Sequence, residues 1–266
     1  MKTNPIKQAL REGRPQVGTW LSLGSVVAAR FLARSGLPWL TVDMEHTQTD
    51  IQAAALMFGA IADAGCVPLA RVVEGRHDLI KQVLDCGAMG IVAPMVMDPA
   101  QARAIVGATR YPPKGNRSVG GGLHALNYGA SAEDYYARAD DEILVVIQTE
   151  HIAAVDRADE TYAVPGVDAV FVGPNDLAAS LRGPDGAPPS KQRLEATLAR
   201  IREACQRQKV AAGLHVFSIE DARRRIDEGW TFIAVNSELK FMLQGAVEVA
   251  RATRQGEPET GDVAKY

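Results

Sequence analysis

Short apolar runs and longer amphipathic segments alternate eight times along this chain, and this alternation constrains the fold more than any other feature. The apolar runs are typical of strands buried on both faces, and the amphipathic segments are typical of helices. The predicted strands cover residues 18–23, 39–46, 67–72, 90–96, 143–147, 170–172, 211–216 and 232–238. Eight such units joined by short turns predict one (β/α)8 TIM barrel over residues 1–266, with a loose polar tail from about residue 255.

Polar side chains concentrate at the carboxyl ends of these strands, whereas the strand interiors are almost wholly apolar. They are Asp43, Glu45, His46, Arg71, Gln148, Glu150, Asp176, His215 and Asn236. In a barrel these ends converge on one mouth, where barrel enzymes keep their chemistry. An open doubly wound sheet would spread them along a line instead. The distribution therefore favours a barrel with an active site at its mouth.

Two of these carboxylates, Glu150 and Asp176, follow consecutive strands. If the two strands are parallel and adjacent, their tips lie about 4.8 Å apart. The two carboxylates would then share one hard divalent cation. The alternative is that each acid caps the helix that follows it. Because an acid follows each of the two strands, a shared metal ion is favoured over two separate helix caps.

Arg71 stands in an otherwise apolar strand, where a guanidinium is seldom left unpaired. It either balances Glu45 and Glu150 or presents its fork to a substrate oxygen. Asp43 and Glu45 are two residues apart and are predicted to share one face of their strand, as are Gln148 and Glu150.

His46 follows the second predicted strand. It either acts as a base near neutral pH, donates from a tautomer fixed by Asp43 or another acid, or remains a surface or capping residue. The other histidines outside strands, His77, His124 and His151, are predicted to be surface residues.

Composition and charge exclude several classes of partner. A formal net charge of -3 without a basic run argues against nucleic acid binding. No apolar run approaches the roughly 20 residues that a bilayer crossing needs, so no membrane association is expected. Cys66, Cys86 and Cys205 are far apart and show no metal-site spacing, which predicts free thiols and a reducing cytoplasm.

Five segments together resemble the HpcH/HpaI aldolases, which are class II pyruvate aldolases. They are LTVDMEH, PLARV, RYPPKGNRSVGG, VVIQTE and VFVGPNDLAAS, and the resemblance spans residues 18–251. It implies a TIM barrel, assembled as a hexamer (a trimer of dimers) with the last helix exchanged between neighbours. It also implies a Mg²⁺, Mn²⁺ or Co²⁺ ion bound by Glu150 and Asp176.

The same resemblance implies a role for each matching residue. Arg71 would steady the enolate oxygen of pyruvate, His46 paired with Asp43 would serve acid/base chemistry, and Gln148 would be a nearby polar contact. The pyruvate carboxylate would bind the backbone of Pro174, Asn175 and Asp176.

The reaction expected from these residues is reversible cleavage of a 4-hydroxy-2-oxoacid to pyruvate and an aldehyde through a metal-bound enolate. An enolate needs either a lysine Schiff base or a Lewis-acid metal, and no lysine falls within a predicted strand. Two alternatives stay open. One is oxaloacetate decarboxylation or another 2-oxoacid or phosphoenolpyruvate-type lyase reaction on the same barrel, and the other is a non-catalytic ligand-binding barrel.

Three segments depart from the family pattern, at Met44, residues 116–118 and residues 236–238. They would line the part of the mouth that receives the aldehyde, so the resemblance implies the enolate chemistry more directly than the acceptor. The long loop of residues 111–127, with a neighbouring subunit, is predicted to fold over the mouth and set aldehyde choice through Arg117 and His124.

Overall fold

Eight parallel strands close into a barrel in the computed structural model, which describes residues 1–120 and 122–253. The strands are β1 (Gln16–Leu21), β2 (Trp39–Asp43), β3 (Val67–Arg71), β4 (Gly90–Ala93), β5 (Leu144–Gln148), β6 (Ala169–Val172), β7 (Ala211–Val216) and β8 (Phe232–Ser237). Each pairs with its neighbours in sequence, and β1 pairs with β8. The predicted TIM barrel is confirmed, although β2 ends at Asp43 rather than residue 46, and β4 ends at Ala93 rather than residue 96.

Helices surround this barrel. They are α1 (Pro5–Arg11), α2 (Val26–Leu32), α3 (Ile51–Asp63), α4 (His77–Asp85), α5 (Pro99–Thr109), α6 (Ala132–Glu142), α7 (Ile152–Asp156), α8 (Ala158–Tyr162), α9 (Pro174–Ser180), α10 (Lys191–Gln208), α11 (Ile219–Asp227) and α12 (Glu238–Thr253), with a 3-10 helix at Leu123–Tyr128. Side-chain oxygens of Ser25, Asp50 and Asp98 accept N–H groups at the starts of α2, α3 and α5. These caps explain why those helices begin where they do.

Aromatic rings fill the barrel interior. Trp20 on β1 packs edge-on against Phe171 on β6, with ring centroids 5.5 Å apart, and Phe171 packs against Phe232 on β8 at 5.8 Å. Strands β1 and β6 are not neighbours in the sheet, so these rings meet across the centre of the barrel. A Cβ at Gly18 would overlap the Trp39 ring, so a residue with a side chain at position 18 would displace this indole.

The first helix, α1, was not expected from the sequence, and it covers the amino-terminal end of the barrel. Asn4 caps it by accepting N–H groups of residues 6 and 7 and donates to the carbonyls of Met89 and Glu142. Lys7 donates to the Ile143 carbonyl at 2.6 Å and pairs with Asp168 at 2.8 Å. These partners lie around the starts of β4, β5 and β6, so α1 holds three strands at the end opposite the mouth.

The last helix, α12, is largely exposed. Met242 and Val249 are among its exposed apolar side chains, and Glu238 is its one buried residue. The Glu238 carboxylate accepts the N–H groups of Ser22 and Leu23 at 2.6 and 2.7 Å, which fastens α12 to the end of β1. The predicted loose tail from about residue 255 lies outside the described residues. Within the described ranges no helix has the length and apolar character to cross a membrane.

Candidate active site

The mouth is built at the last residues of β2 and β3, where Asp43 and Arg71 are register partners. Arg71 donates from Nε to Asp43 Oδ1 at 2.8 Å and from Nη2 to Oδ2 at 2.6 Å. Its Nη1 lies 3.1 Å from Glu45 Oε2, and its guanidinium lies 4.6 Å from the centre of the Trp20 ring. The guanidinium is therefore contacted by Asp43 and Glu45 at its edges and by Trp20 on one face, and these contacts fix its orientation.

Glu45 stands just beyond β2, because that strand ends at Asp43. The prediction that the two acids share a strand face is therefore wrong, yet both reach Arg71. Burial, followed by the charges of Asp43 and Asp176, raises the pKa of Glu45 to about 7 against the opposing effect of Arg71. Glu45 Oε2 is buried and makes no hydrogen bond within the described chain.

His46 lies at the rim with 64% of its side chain exposed, and its Nε2 is 3.7 Å from Glu45 Oε2. The predicted pair between His46 and Asp43 is not what the structure shows. Both oxygens of Asp43 accept from Arg71, and Oδ1 also accepts from the Glu45 N–H. Glu45 is therefore the acid beside the imidazole.

Glu150 is buried on the other side of the mouth. Its Oε1 accepts the N–H of Met95 at 2.8 Å, and its Oε2 accepts from Gln148 Nε2 at 2.6 Å. Strand β5 ends at Gln148, so these two residues do not share a strand face as predicted, although their side chains meet. Burial raises the pKa of Glu150, and the charges of Glu45 and Asp176 act in the same direction.

Gly173 shapes the pocket of Glu150. A Cβ on this glycine would overlap Glu150 Oε2. Only glycine leaves room for the carboxylate in this position. Residue 173 thus belongs to the site, although the sequence showed it only as a strand break.

The alternative that both acids are helix caps does not fit the contacts. The side chain that caps α7 is His151, whose Nδ1 accepts the Ala153 N–H, while Glu150 binds Met95 and Gln148. Asp176 is the third residue of α9, and no side chain of the described chain caps that helix. Pro174 has no N–H, so the exposed first turn presents the N–H groups of Asn175 and Asp176.

Three residues near the mouth were given no role from the sequence. Trp20 stacks on Arg71, and Met95 adopts a left-handed backbone with φ 52° that directs its N–H to Glu150. Burial lowers the pKa of His215 to about 4, and its Nε2 lies 2.9 Å from the Asn236 carbonyl. His215 is therefore neutral at physiological pH and does not compete with His46 as an acid.

The residues around the mouth fit a hard divalent cation. Burial is the main cause of the raised pKa of Glu150, but the charges of Glu45 and Asp176 also contribute, so the three carboxylates lie near one another. Gln148 Oε1 is buried without a hydrogen-bond partner in the described chain. Glu45, Glu150, Asp176 and Gln148 offer side-chain oxygens, the donor type that Mg²⁺ and Mn²⁺ prefer. The described residues contain no cluster of three or more histidine, cysteine or acidic ligands. A site of two carboxylates leaves most coordination positions of such an ion to water and substrate.

The barrel and this mouth define a barrel enzyme, and comparison with known proteins identifies its family. Residues 16–245 match the family model HpcH/HpaI aldolase/citrate lyase. A 2-keto-3-deoxy-L-rhamnonate aldolase of Escherichia coli O157:H7 is 40% identical over 235 residues, which are 88% of this chain and 86% of that protein.

Solved structures agree with this match. A HpcH/HpaI aldolase/citrate lyase family protein from Burkholderia cenocepacia J2315 superposes with a TM-score of 0.88 at 35% identity, covering 95% of this chain and 100% of that one. A HpcH/HpaI aldolase from Desulfitobacterium hafniense DCB-2 gives 0.86 at 25% identity, covering 96% and 98%. This chain therefore belongs to the HpcH/HpaI aldolase/citrate lyase family. It is an enzyme of the aldolase class, a lyase.

Proposed function

We propose that this enzyme is a divalent-metal-dependent aldolase that reversibly cleaves a 4-hydroxy-2-oxoacid to pyruvate and an aldehyde. The observation that carries the proposal is the fixed fork of Arg71, held by Asp43 and lying beside Glu45 at the mouth. A Schiff-base mechanism through lysine is not supported, since no described lysine lies on a strand. A guanidinium at this position suits an oxygen that gains negative charge.

Glu150 and Asp176 would hold the cation, which is Mg²⁺, Mn²⁺ or Co²⁺. When bound, the ion supplies Lewis-acid polarisation of the 2-oxo group. Each Glu150 oxygen already accepts one hydrogen bond, and a carboxylate oxygen has a second lone pair for a cation. Gln148 orients Glu150 and leaves its own Oε1 for a water or substrate hydroxyl.

Cleavage begins when a base takes the proton of the C4 hydroxyl. His46 is the proposed base, with Glu45 beside it to stabilise the imidazolium that forms. The C3–C4 bond then breaks, its electron pair enters the pyruvate enolate, and the aldehyde leaves. Arg71 offsets the charge on the enolate oxygen, and protonation at C3 gives pyruvate.

The carboxylate of the oxoacid is proposed to bind the N–H groups of Asn175 and Asp176 in the first turn of α9. These groups lie beyond the end of β6, next to the wall formed by Gly173 and Glu150. Backbone donors at a helix start suit an anionic oxygen. The carboxylate and the 2-oxo group would thereby be held together.

The test is pyruvate release, measured with and without divalent metal. The first substrate is 2-keto-3-deoxy-L-rhamnonate, a 4-hydroxy-2-oxoacid named in the 40% identical relative, followed by other hydroxy-oxoacids and oxaloacetate. We expect pyruvate and aldehyde in equal amounts, and no turnover after chelation. Release of pyruvate from oxaloacetate alone would identify a decarboxylase, and no release from any oxoacid would contradict an aldolase.

The enzyme is also proposed to be a cytoplasmic homo-oligomer, a hexamer built as a trimer of dimers. The exposed apolar side chains of α12, including Phe241, Met242 and Val249, support packing against another copy. All three cysteines are free, as a reducing compartment requires.

A further inference from the structure

A second polar cavity lies at the end of the barrel opposite the mouth. It is a half-open cleft with a volume of about 390 Å³, bordered by α1, the loop after α5, the end of α6 and the starts of β6 and β7. Its lining includes Arg11, Arg110, Lys114, Lys209, Asp140, Asp141 and Asp168. None of these residues belongs to the proposed catalytic site.

Arg110 is the central feature of this cavity. Its side chain is buried, with the residue 7% exposed, yet no carboxylate of the described chain lies within ion-pair distance of it. Its hydrogen bond within the protein is a long one, from Nη1 to the Ile143 carbonyl at 3.5 Å. Burial lowers the pKa of Arg110, although the charges of Asp168, Asp140 and Asp141 oppose this effect. A buried guanidinium in this state lacks the partner that such groups normally have.

Two of the three acids that line the cavity are already engaged by other groups. Asp168 pairs with Lys7 at 2.8 Å and Arg11 at 3.7 Å, and its Oδ2 accepts the N–H of residue 145 at 2.9 Å. Asp140 accepts the N–H of residue 111 at 3.0 Å and lies 3.8 Å from Lys114. These contacts occupy Asp168 and Asp140, and Asp141 is exposed and forms no ion pair with Arg110.

Positive charge is therefore in excess around the cavity. Burial lowers the pKa of Lys7 to about 8, and the positive charge of Arg110 contributes in the same direction. Lys209 directly follows α10 and has a left-handed backbone with φ 57°. It is exposed at the rim and forms no ion pair with any acid of the described residues. Four cationic side chains line the cavity against three carboxylates, and Lys7 adds a fifth cation directly behind it.

We propose that this cavity binds a small dianionic metabolite, with the fork of Arg110 on one oxoanion group and Lys114 and Lys209 at the rim. The shared chemistry is a doubly charged oxoanion, carried either by a phosphate ester or by a dicarboxylate. Arginine forks bind both groups through paired hydrogen bonds. The site is independent of the aldolase reaction, because it lies at the far ends of the strands that form the mouth.

The experiment is calorimetric titration of the chelated, metal-free enzyme with inorganic phosphate and, separately, with malonate. We expect saturable binding of one copy per chain in the wild type. Arg110→Met should weaken it at least about tenfold, since it removes the paired donors. The matched control is Arg103→Met, an exposed arginine on α5, the helix that Arg110 directly follows, and this variant should bind like the wild type. Tighter binding of phosphate would indicate a phosphate ester, and tighter binding of malonate would indicate a dicarboxylate.

Two surface variants keep the test valid if Arg110→Met fails to fold. Lys209→Gln should weaken binding about threefold, and Asp141→Asn, which removes a repelling charge from the exposed rim, should strengthen it by a similar factor. Arg71→Lys at the mouth should leave the titration unchanged. Absence of binding in the wild type, or loss of binding in Arg71→Lys with no change in Arg110→Met, Lys209→Gln and Asp141→Asn, would overturn the proposal.

Discussion

Asp43 and Arg71 end neighbouring strands in register, and two hydrogen bonds of 2.8 and 2.6 Å join the carboxylate to the guanidinium. The ends of the two strands therefore support the guanidinium of Arg71, the proposed catalytic group. Nη1 is left to face Glu45 and the open mouth. Orientation of Arg71 thus follows from the barrel rather than from a mobile loop, which is the property expected of a preorganised charge-stabilising group.

Arg71→Lys tests this role directly. Lysine keeps the charge but cannot make both bonds to Asp43, so we expect a folded protein whose kcat falls at least about 10²-fold. Steady-state kinetics and a thermal melt measure the two effects. Near-normal kinetics with a lower Tm would show instead that Arg71 only balances buried acids.

Glu150→Gln tests the metal site. Wild-type activity should disappear after chelation and return with Mg²⁺ or Mn²⁺, whereas Glu150→Gln should remain inactive and bind Mn²⁺ at least about tenfold more weakly. Paramagnetic resonance of free Mn²⁺ measures that affinity without relying on turnover. Glu203→Gln, an exposed acid on α10, is the control and should match the wild type. Full activity in Glu150→Gln would exclude this residue as a ligand.

Gly173→Ala should displace Glu150, because the added Cβ overlaps Oε2. Misplacing a reacting group by about 1 Å costs about 10²-fold in rate, so we expect a loss of that size with the barrel intact. Gly59→Ala on α3, where a Cβ would meet no atom within 4 Å, should instead add up to about 1 kcal/mol of stability. Equal activity in the two variants would contradict the close approach.

Glu45 should make the folded state less stable as pH rises. Its folded pKa of about 7 exceeds the ordinary value of 4.5, so the folded state holds the proton more tightly. The stabilisation is complete below pH 4.5 and is lost as pH rises through 7. It amounts to about 3 kcal/mol without solvent screening and about 2 kcal/mol with it. Urea unfolding of chelated protein should show this decline relative to Glu45→Gln, which keeps Glu150 but removes the Glu45 charge that helps to raise its pKa. If the free energy of unfolding changed with pH in the same way in both proteins, the raised pKa of Glu45 would be refuted.

The exposed apolar face of α12 should hold subunits together. Met242→Glu and Val249→Glu would place charge in that contact, and we expect light scattering to show a smaller particle for both. Gln244→Glu adds the same charge at an exposed polar position of α12 and serves as the control. An unchanged mass in all three variants would mean that α12 lies outside the interface.

The barrel and the residues of its mouth could be predicted because parallel strands buried on both faces have nearly continuous apolar runs. Polar residues at the ends of such runs therefore stand out, as Arg71 and Glu150 do. The contacts among them could not be predicted. The early end of β2 puts Glu45 in a loop, where it rather than Asp43 meets His46, and nothing in the sequence marks the left-handed backbone of Met95.

The long loop after α5 shows the same limit. It was predicted to fold over the mouth, but Arg117 is fully buried, bonds to Asp85 at 2.6 Å and stacks on Tyr111. Asp85 is the last residue of α4, so this contact lies away from the mouth of its own barrel. Glycines and prolines indicated a loop without indicating its direction. Arg117 is therefore not placed to contact an aldehyde at the mouth of its own barrel.

The bonds from Glu238 to Ser22 and Leu23 have a consequence for synthesis of the chain. Strand β1 gains its second neighbour only when β8 is made, more than two hundred residues later, and Glu238 fastens that junction immediately afterwards. Until then a nascent chain carries an unpaired strand edge, which is open to pairing with other chains. A ribosome stalled before residue 232 would therefore display an open, association-prone sheet, and chaperone binding should concentrate on that interval of translation.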